Sequence, residues 1–374
     1  MKKVGITGQV GFMGTHLFNF LGTKSEKIDR INFQDNYFDN EVGLQSFVKS
    51  CDVIVHLAAM NRHEDEQLIY NTNIDLVKKL INACEATNST PKIIFSSSTQ
   101  EEKDNLYGKS KRDGRKYFEA WAIKNSCKVL SLIIPNVFGP FGKPFYNSFI
   151  ATFSSQIIAG EQPTVVNDSK VNLIYINELS QVFYDKILEE GNEDTNSYLV
   201  PHTSSRKVSE ILDLLNEFKI EYLENGQVPK VDLNSFELDL FNTFTSFIPK
   251  DFFPIKFTNH TDQRGVFVEI MRAGSPGQTS YSTTIPGITR GNHYHTRKIE
   301  RFAVIRGKAL IQIRKIDSDE VFEYILDGAE PAYVDMPIWY THNIKNIGNT
   351  ELLTLFWINE PYNPEDTDTY FVNV

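Results

Sequence analysis

Residues able to do chemistry lie in two sets at opposite ends of this 374-residue chain. Near the start, Gly8-Gln9-Val10-Gly11-Phe12-Met13-Gly14 follows a short apolar run, Val4 to Ile6. If that run is a strand and a helix follows, each glycine has a task. Gly8 permits the tight turn, Gly11 lets a pyrophosphate approach the backbone, and Gly14 allows helix and strand to pack closely. His16-Leu17-Phe18 then enter a helix, whose N-terminal N–H groups and positive dipole end attract phosphate. A glycine triplet alone is a weak signal, because such turns are common. Its place directly after the first apolar run gives it weight.

Tyr107-Gly108-Lys109-Ser110-Lys111 is the second element. Tyr107 and Lys111 are four apart, so on a helix they share a face. A phenol with a pKa of about 10 exchanges protons poorly at neutral pH, and a neighbouring ammonium lowers that value. That suits Tyr107 to proton exchange with a carbonyl or alcohol, while Lys111 could also hold ribose hydroxyls. Taken alone, such a pair is usually surface decoration. Phe95-Ser96-Ser97-Ser98 ends an apolar run just before it, where the Ser98 hydroxyl is placed to hydrogen-bond a substrate oxygen.

Toward the other end, alternate residues of a strand face one side, so His293 and His295 point together. Glu300 and His342 come from adjoining strands. Three imidazoles and a carboxylate make a nitrogen–oxygen set fit for Zn²⁺, Fe²⁺ or Mn²⁺, with zinc the leading candidate. The plain alternative is a metal-stabilised assembly barrel without chemistry.

The chain is 41% hydrophobic and 12% aromatic, enough for two domains each to bury a core. Its net charge of −10 and lack of a basic stripe speak against nucleic acid as a partner. Cys51, Cys84 and Cys127 show no paired spacing, which fits a reducing cytosol. No apolar run reaches membrane-spanning length, and the stretch after Met1-Lys2-Lys3 is too short and broken for a secretory signal. A soluble, cytoplasmic protein is expected.

These residues need elements to position them. Val4–Thr7, Asp52–Leu57, Lys92–Ser96 and Val129–Ile134 read as strands with little alternation, as in a parallel sheet buried on both faces. Leu68–Ala86 and Ser110–Lys124 carry apolar residues at helical spacing. This βαβ repetition predicts a Rossmann-type doubly wound sheet. Around Asn225–Phe253 the pattern loosens, with Pro229 and Pro249, and a domain boundary is expected near 245. Beyond it, short strands dominate: Val266–Met271, Phe302–Ile305, Leu310–Arg314, Phe322–Leu326 and Leu352–Trp357. They predict an all-β barrel or jelly roll. The expected domains are 1–245, binding NAD(P), and 246–374.

Together with Asp52-Val53-Ile54-Val55-His56-Leu57-Ala58-Ala59, Asn73 and Pro135-Asn136-Val137-Phe138-Gly139-Pro140, the first set resembles the extended short-chain dehydrogenase/reductase family over most of residues 1–190. The resemblance implies Ser98, Tyr107 and Lys111 as catalytic trio. It implies a dinucleotide touched by Gly8, Gly11, Phe12, Met13, Gly14, Leu57, Ala58, Ala59, Tyr107 and Lys111, and a sugar nucleotide touched by Asn136. The chain departs from the family pattern in places. Ile133-Ile134-Pro135 stands where many members place an arginine, and the loop from Ser98 to Tyr107 is short. Thr99-Gln100 replaces the Asp–Glu pair of family dehydratases, which argues against water elimination. The second strand, expected over Ile28–Phe33, lacks a terminal carboxylate for an adenosine ribose. With Arg30 and Gln34 nearby, NADPH is expected over NADH, and Arg30 is a candidate cofactor contact.

The spacing of Gly287, His293, His295, Glu300 and Gly307 resembles the first cupin motif. Pro337–His342 with Asn346 resembles the second, with Trp339 where a glycine is usual. Asp262-Gln263-Arg264-Gly265-Val266-Phe267-Val268-Glu269 and Thr289-Arg290-Gly291-Asn292-His293-Tyr294 are similar to the deoxysugar-nucleotide 3,5-epimerase branch of cupins. There the histidine after Arg-Gly is a general base, and a tyrosine reprotonates the opposite face. His293 stays open between base and ligand, and Tyr340 is the candidate acid. A metal polarising the keto oxygen would stabilise the enediolate.

The two halves in this order resemble the CapF-type family of bifunctional capsular polysaccharide synthesis enzymes. Pro144–Phe153, Pro286–Gly291 and Asp368-Thr369-Tyr370-Phe371 are further matching stretches. The resemblance implies that the barrel inverts C3 of a UDP-2-acetamido-2,6-dideoxy-4-hexulose and the first domain reduces C4 with NADPH. The product is then a UDP-N-acetyl-L-talosamine-type sugar on the route to UDP-N-acetyl-L-fucosamine for capsule or O-antigen. A homodimer is expected by analogy. Three alternatives stand beside this reading. One is a single-activity NAD(P)H-dependent 4-keto sugar nucleotide reductase whose barrel serves only assembly. The others are a redox-neutral epimerase and a cofactor-sensing module without turnover.

Overall fold

Ile6, Ile54, Ile93 and Ile94 have no solvent exposure at all, which is what the unalternating apolar runs require of strands covered on both faces. The computed structural model describes residues 1–190, 195–257, 259–262, 265–268, 272–273, 277–360 and 363–374, with the backbone alone between 258 and 276. Within the expected strand Val266–Met271, residues 269–271 lie outside the described residues.

The first half runs β1 (Lys2–Thr7), α1 (Phe12–Gly22), β2 (Ile28–Ile31), α2 (Glu41–Ser50), β3 (Val53–His56), α3 (Glu66–Thr87), β4 (Lys92–Ser98), α4 (Leu106–Asn125) and β5 (Val129–Ile134). It continues as β6 (Asn136–Phe138), α5 (Phe149–Ile158), β7 (Lys170–Tyr175), α6 (Ile176–Leu188), β8 (Thr195–Leu199), β9 (Ser204–Lys207) and α7 (Val208–Phe218). Six strands form one parallel sheet in the order β2-β1-β3-β4-β5-β8. The order reverses between β1 and β3, and in such sheets ligands bind in the crevice beyond the carboxyl ends of those strands. A smaller sheet, β6-β7-β9, follows.

Helix starts are set by side-chain caps that periodicity does not show. Asp65 accepts from the N–H groups of Gln67 and Leu68 at the head of α3. Asn105 accepts from Gly108 N–H at 2.7 Å at the head of α4. Both helices therefore begin ahead of the apolar pattern, and Tyr107 lies in the first turn of α4.

In the second half, β10 (Gln227–Val228), α8 (Phe236–Thr245), β11 (Ile255–Lys256), β12 (Asn259–Asp262), β13 (Gly265–Val268) and β14 (Arg272–Ala273) precede the barrel strands. These are β15 (Gln278–Thr284), β16 (Thr289–Tyr294), β17 (Glu300–Arg306), β18 (Lys308–Lys315), β19 (Val321–Asp327), β20 (Ala332–Met336), β21 (Tyr340–Asn346), β22 (Leu352–Ile358) and β23 (Tyr370–Phe371). They form two five-stranded antiparallel sheets, β11-β20-β17-β22-β15 and β19-β18-β21-β16-β23, the expected jelly roll. Val304, Ile311, Ile313 and Val334 fill its core without exposure. Among the described residues no helix is long and apolar enough to cross a membrane.

Contacts divide the chain at Val208/Ser209, with Phe153–Val166 joined to the second unit, and not near 245. Aromatic packing accounts for part of the difference. Phe218 sits edge-on to Phe241 at 5.3 Å, and Tyr222 to Phe241 at 5.1 Å, so α7 and α8 share one core. Tyr222 also donates to the buried Asp335 of β20. Asp335 is gripped by Arg301, Nε to Oδ1 at 2.8 Å and Nη2 to Oδ2 at 3.0 Å, while the guanidinium lies 3.9 Å from the Tyr333 ring centroid. Removing one member of a buried pair strands the other charge away from water, at about 3–5 kcal/mol. Asp335→Ala is therefore expected to destabilise the protein by about that amount, read as a lower denaturation midpoint. A change below about 1 kcal/mol would show that the guanidinium finds other partners.

Candidate functional site

The glycine turn has no room for side chains. Gly8 has φ +69°, and a methyl added there would lie 2.8 Å from the backbone N and Cα of Ala58. One added at Gly14 would lie 2.1 Å from Gly8 O. Gly11 N–H donates to Gly8 O at 3.0 Å and caps α1, bringing no side chain or first-turn acid to its opening N–H groups. Phe12 and Met13 thus stand at a helix start suited to an anion. Gln9 Oε1 accepts from Phe33 N–H at 3.0 Å, tying this turn to the segment after β2.

Leu57, Ala58 and Ala59 follow β3 at the same sheet edge. Leu57 N–H donates to Thr7 O at 3.2 Å and Ala58 N–H to Thr7 Oγ1 at 3.3 Å. The buried Asn73 of α3 holds the next turn, accepting from Met60 N–H at 2.7 Å and donating to Met60 O at 3.1 Å and Ser110 Oγ at 2.9 Å. Ser110 in turn donates to Tyr107 O at 2.7 Å. One amide thus links the cofactor-side turn to the tyrosine helix.

Ser98 closes β4, its Oγ accepting from Gln100 N–H at 3.2 Å. The short loop after it is pulled onto α4, where a methyl at Gly108 would lie 2.0 Å from Gln100 O. Lys111 is buried, with Nζ donating to Ser96 O at 3.0 Å and standing 5.7 Å from the Tyr107 ring centroid. Burial pulls the Lys111 ammonium down to about 8, against the opposing pull of Glu101. Burial, with Tyr146 adding to it, pushes the Tyr107 phenol up to about 12. The expected lowering of the phenol is not met: the ammonium itself is desolvated and spends its hydrogen bond on Ser96. Tyr107 holds its proton, the form a proton donor needs.

Glu101 escapes a reading of the sequence, where it looks like part of a solvated acidic run with Glu102. It is buried, accepts from Ser97 Oγ, and is held by Arg115 through Nε at 3.1 Å and Nη2 at 2.7 Å. An arginine one helix away carries no local signal of that partner. Asn136 begins β6, exposed, with Nδ2 donating to Asn172 O at 3.1 Å. Arg30 turns from the crevice toward α1. Its Nη1 donates to Phe18 O at 2.8 Å and its guanidinium lies 4.2 Å from the Phe18 ring centroid. These two contacts aim the guanidinium at α1.

In the barrel, His293, His295, Glu300 and His342 come together, with donor atoms within 4.8 Å of one another. Glu300 Oε2 lies 3.8 Å from His293 Nε2, 3.4 Å from His295 Nε2 and 2.9 Å from His342 Nε2. His293 faces His342 across β16 and β21, where a bulge at Gly291/His293 shifts the register. Behind the cluster, His342 Nδ1 bonds Tyr340 O at 3.2 Å and His295 Nδ1 bonds Asp368 O. Those bonds leave both Nε2 atoms facing inward. His295 Nε2, His342 Nε2 and Glu300 Oε2 are buried without a hydrogen-bond partner. Burial works to raise the Glu300 carboxyl, yet the three imidazoles crowded around it hold it well below the usual range. Burial lowers His342; burial also works against His295, but Glu300 and Asp368 together raise it. Orphaned nitrogen and oxygen donors converging on one point fit a divalent cation.

Trp339 explains its departure from the motif. Its φ is +62°, the conformation that favours glycine, and its ring stacks on Tyr294 at 5.6 Å while its backbone N–H donates to His295 O at 2.8 Å. Tyr340 meets the cluster through its carbonyl, which the His342 ring bonds. Lys250 Nζ lies 4.4 Å from its ring centroid, and burial with Tyr324 and Glu320 alongside pushes the phenol up to about 12. Gln263, Arg264 and Glu269 of the epimerase-like stretch lie outside the described residues.

Residues 4–198 match the NAD dependent epimerase/dehydratase family, and residues 260–370 the polysaccharide biosynthesis C-terminal domain. A curated relative, UDP-2-acetamido-2,6-beta-L-arabino-hexul-4-ose reductase of Pseudomonas aeruginosa, is 32% identical over 100% of this chain and 99% of its own length. Among solved structures, the capsular polysaccharide assembling protein CapF of Staphylococcus aureus is similar over 100% of both chains, at 33% identity and a TM-score of 0.62. A CapF structure with the inhibitor 3-isopropenyl-tropolone is similar at 31% identity and a TM-score of 0.57, again over 100% of both chains. The chain therefore belongs to the NAD dependent epimerase/dehydratase family, in its CapF-type two-part branch.

Proposed function

We propose that this protein is a bifunctional nucleotide-sugar enzyme. In this reading the barrel inverts C3 of a UDP-2-acetamido-2,6-dideoxy-4-hexulose, and the first domain then reduces the C4 ketone. The product is a UDP-N-acetyl-L-talosamine-type sugar, leading to UDP-N-acetyl-L-fucosamine for capsule or O-antigen. One observation carries the reading: a buried Lys111 beside the Tyr107 ring and a buried three-imidazole, one-carboxylate cluster occur in the same chain. The Pseudomonas relative, matched over the whole chain, bears the name of a 4-keto UDP-sugar reductase. We place the enzyme in the cytoplasm as a homodimer.

A bound reduced nicotinamide, taken as NADPH, supplies hydride to C4. Ile31-Asn32-Phe33-Gln34 at the end of β2 holds no carboxylate to repel a 2′-phosphate, and that choice no longer leans on Arg30. Tyr107 donates its phenolic proton to the C4 oxygen as the alcohol forms, with the Ser98 hydroxyl hydrogen-bonded to the same oxygen. Lys111 holds positive charge beside the phenol while it is deprotonated. A divalent cation, zinc by preference, supplies Lewis-acid polarisation of the keto oxygen in the barrel. His295, Glu300 and His342 would hold it. His293 has 19% side-chain exposure against 4% and 1% for His295 and His342, so it is the imidazole open to substrate and takes the C3 proton. Inversion is completed when a proton returns to the opposite face of C3, with Tyr340, whose phenol burial keeps protonated, as the candidate acid. A tropolone chelates divalent cations through adjacent oxygens, which accords with the inhibitor bound by the CapF relative.

Incubation with the 4-keto UDP-sugar and NADPH in D₂O separates the two reactions. Tyr107→Phe is expected to lower NADPH oxidation by at least about a hundredfold, in line with loss of a general acid, while deuterium still enters at C3. His293→Ala is expected to stop that exchange and leave reduction of a pre-epimerised sugar intact. Wild-type exchange in His293→Ala would leave the barrel a purely structural role.

The reduction should also carry one alkaline limb. Lys111, with its proton held to about 8, is charged below that pH and neutral above it, so kcat/KM for reduction should fall as pH rises through about 8. A flat profile to pH 9.5 would remove Lys111 charge from the mechanism.

A further inference from the structure

The C-terminal segment is built into the imidazole cluster more deeply than its sequence suggests. Asp368 is 3% exposed, and its carboxylate accepts from four donors on one turn. Those are Thr296 N–H at 3.1 Å, Thr296 Oγ1 at 2.6 Å, Arg297 N–H at 3.0 Å and Lys298 N–H at 3.3 Å. That turn is the span between His295 and Glu300. The Asp368 carbonyl accepts from the ring of His295 itself. Asp368 has φ +43°, a conformation that Asp and Asn tolerate better than most residues. The chain then adds β23 to the edge of β16, with Phe371 opposite His293 and Tyr370 opposite Tyr294. Val372 N–H donates to Asn292 O at 3.0 Å, and Thr341 Oγ1 bonds Val372 O.

We propose that the segment Asp368–Val374 is a structural part of the barrel's metal centre, with Asp368 as its positioning residue. This rests on the reading of the imidazole cluster as a metal site. The carbonyl of Asp368 fixes His295 in the tautomer that carries hydrogen on Nδ1 and turns a lone pair on Nε2 inward. The carboxylate fixes the carbonyl, because one residue makes both sets of bonds. It also sets the span between two members of the cluster. Groups behind a ligand that hold its tautomer and orientation commonly govern metal affinity about 10–100-fold.

The experiment uses the full chain, stripped with a chelator and titrated with Zn²⁺ alone against a chromophoric chelator. Asp368→Ala is expected to bind Zn²⁺ at least about tenfold more weakly than wild type. Asp366→Ala, which removes an exposed partner of Arg297 (2.7 Å) two residues away, is expected to match wild type. Hydrogen exchange on the wild type needs no substitution: chelation should speed exchange at Thr296, Lys298 and Val372, and zinc should restore protection. Asp368→Ala within twofold of wild type, equal losses in Asp366→Ala and Asp368→Ala, or exchange indifferent to zinc each overturn the assignment. A wild type that takes up no zinc overturns the metal reading as well, so the two failures are told apart.

Discussion

Three imidazole nitrogens aimed at a single buried carboxylate oxygen set the terms for the whole barrel. Left to itself, such a cluster is expensive: desolvated donors and acceptors without partners cost about 1–3 kcal/mol each, more where one is charged. Glu300, His295 and His342 carry that cost in atoms that find no hydrogen bond within the protein. The surrounding structure is arranged to hold them there. The bulge at Gly291, with φ +99° and no space for a methyl beside His342 O, displaces β16 against β21. Trp339 accepts a left-handed backbone to leave its main-chain N–H on His295 O. Carbonyls of Tyr340 and Asp368 take the far nitrogens of two rings. Each device spends local stability to fix the direction of a ligand atom, a trade common where strain serves a site.

The first unit solves a related problem with a cation. Lys111 is buried without a carboxylate in contact; a carbonyl and two aromatic rings, Phe95 and Tyr107, surround it. Its charge is thereby weakened, and the phenol beside it stays protonated. A reductase needs that balance, because the phenol must give a proton to an oxygen that gains electron density.

Much of this was legible from residue order. The limits of β5 coincide with the apolar run, and β1, β3 and β4 are off by one or two residues at their ends. Local information sufficed because a doubly covered strand advertises itself by composition alone. The glycine turn and the tyrosine–lysine pair were legible for the same reason, since their partners lie within a few residues. What the sequence hid was decided by contacts across long separations. The turn of Arg30 onto Phe18, the burial of Glu101 against Arg115, and the hold of Asp368 on residues 296–298 all depend on which surfaces fold together. Tyr340 serves two neighbours at once: its carbonyl bonds the His342 ring two residues on, while Lys250 Nζ lies 4.4 Å from its own ring centroid.

The proposed order of reactions follows from the carbon chemistry and constrains both sites. The C3 proton is acidic only while C4 is a ketone, so reduction ends any chance of inversion. A reductase that accepted the uninverted sugar as readily as the inverted one would divert substrate before the barrel acted. Discrimination must then lie in the first unit, at groups that contact the sugar ring and sense C3, and it must act on the transition state for hydride transfer and not on binding alone. In the proposed mechanism Ser98 and Tyr107 both address the C4 oxygen and cannot tell the C3 epimers apart by themselves. Asn136, exposed at the head of β6 where the chain leaves the parallel sheet, stands where the resemblance to the reductase family expects contact with the sugar. Its amide is anchored on Asn172 O, which leaves the side-chain oxygen as an acceptor for one defined hydroxyl orientation. A single neutral hydrogen bond of that kind discriminates by about 0.5–1.5 kcal/mol, a preference too small to reject the uninverted sugar. Rapid inversion in the barrel, keeping the inverted ketone replenished, therefore matters to fidelity as much as selectivity in the reductase does.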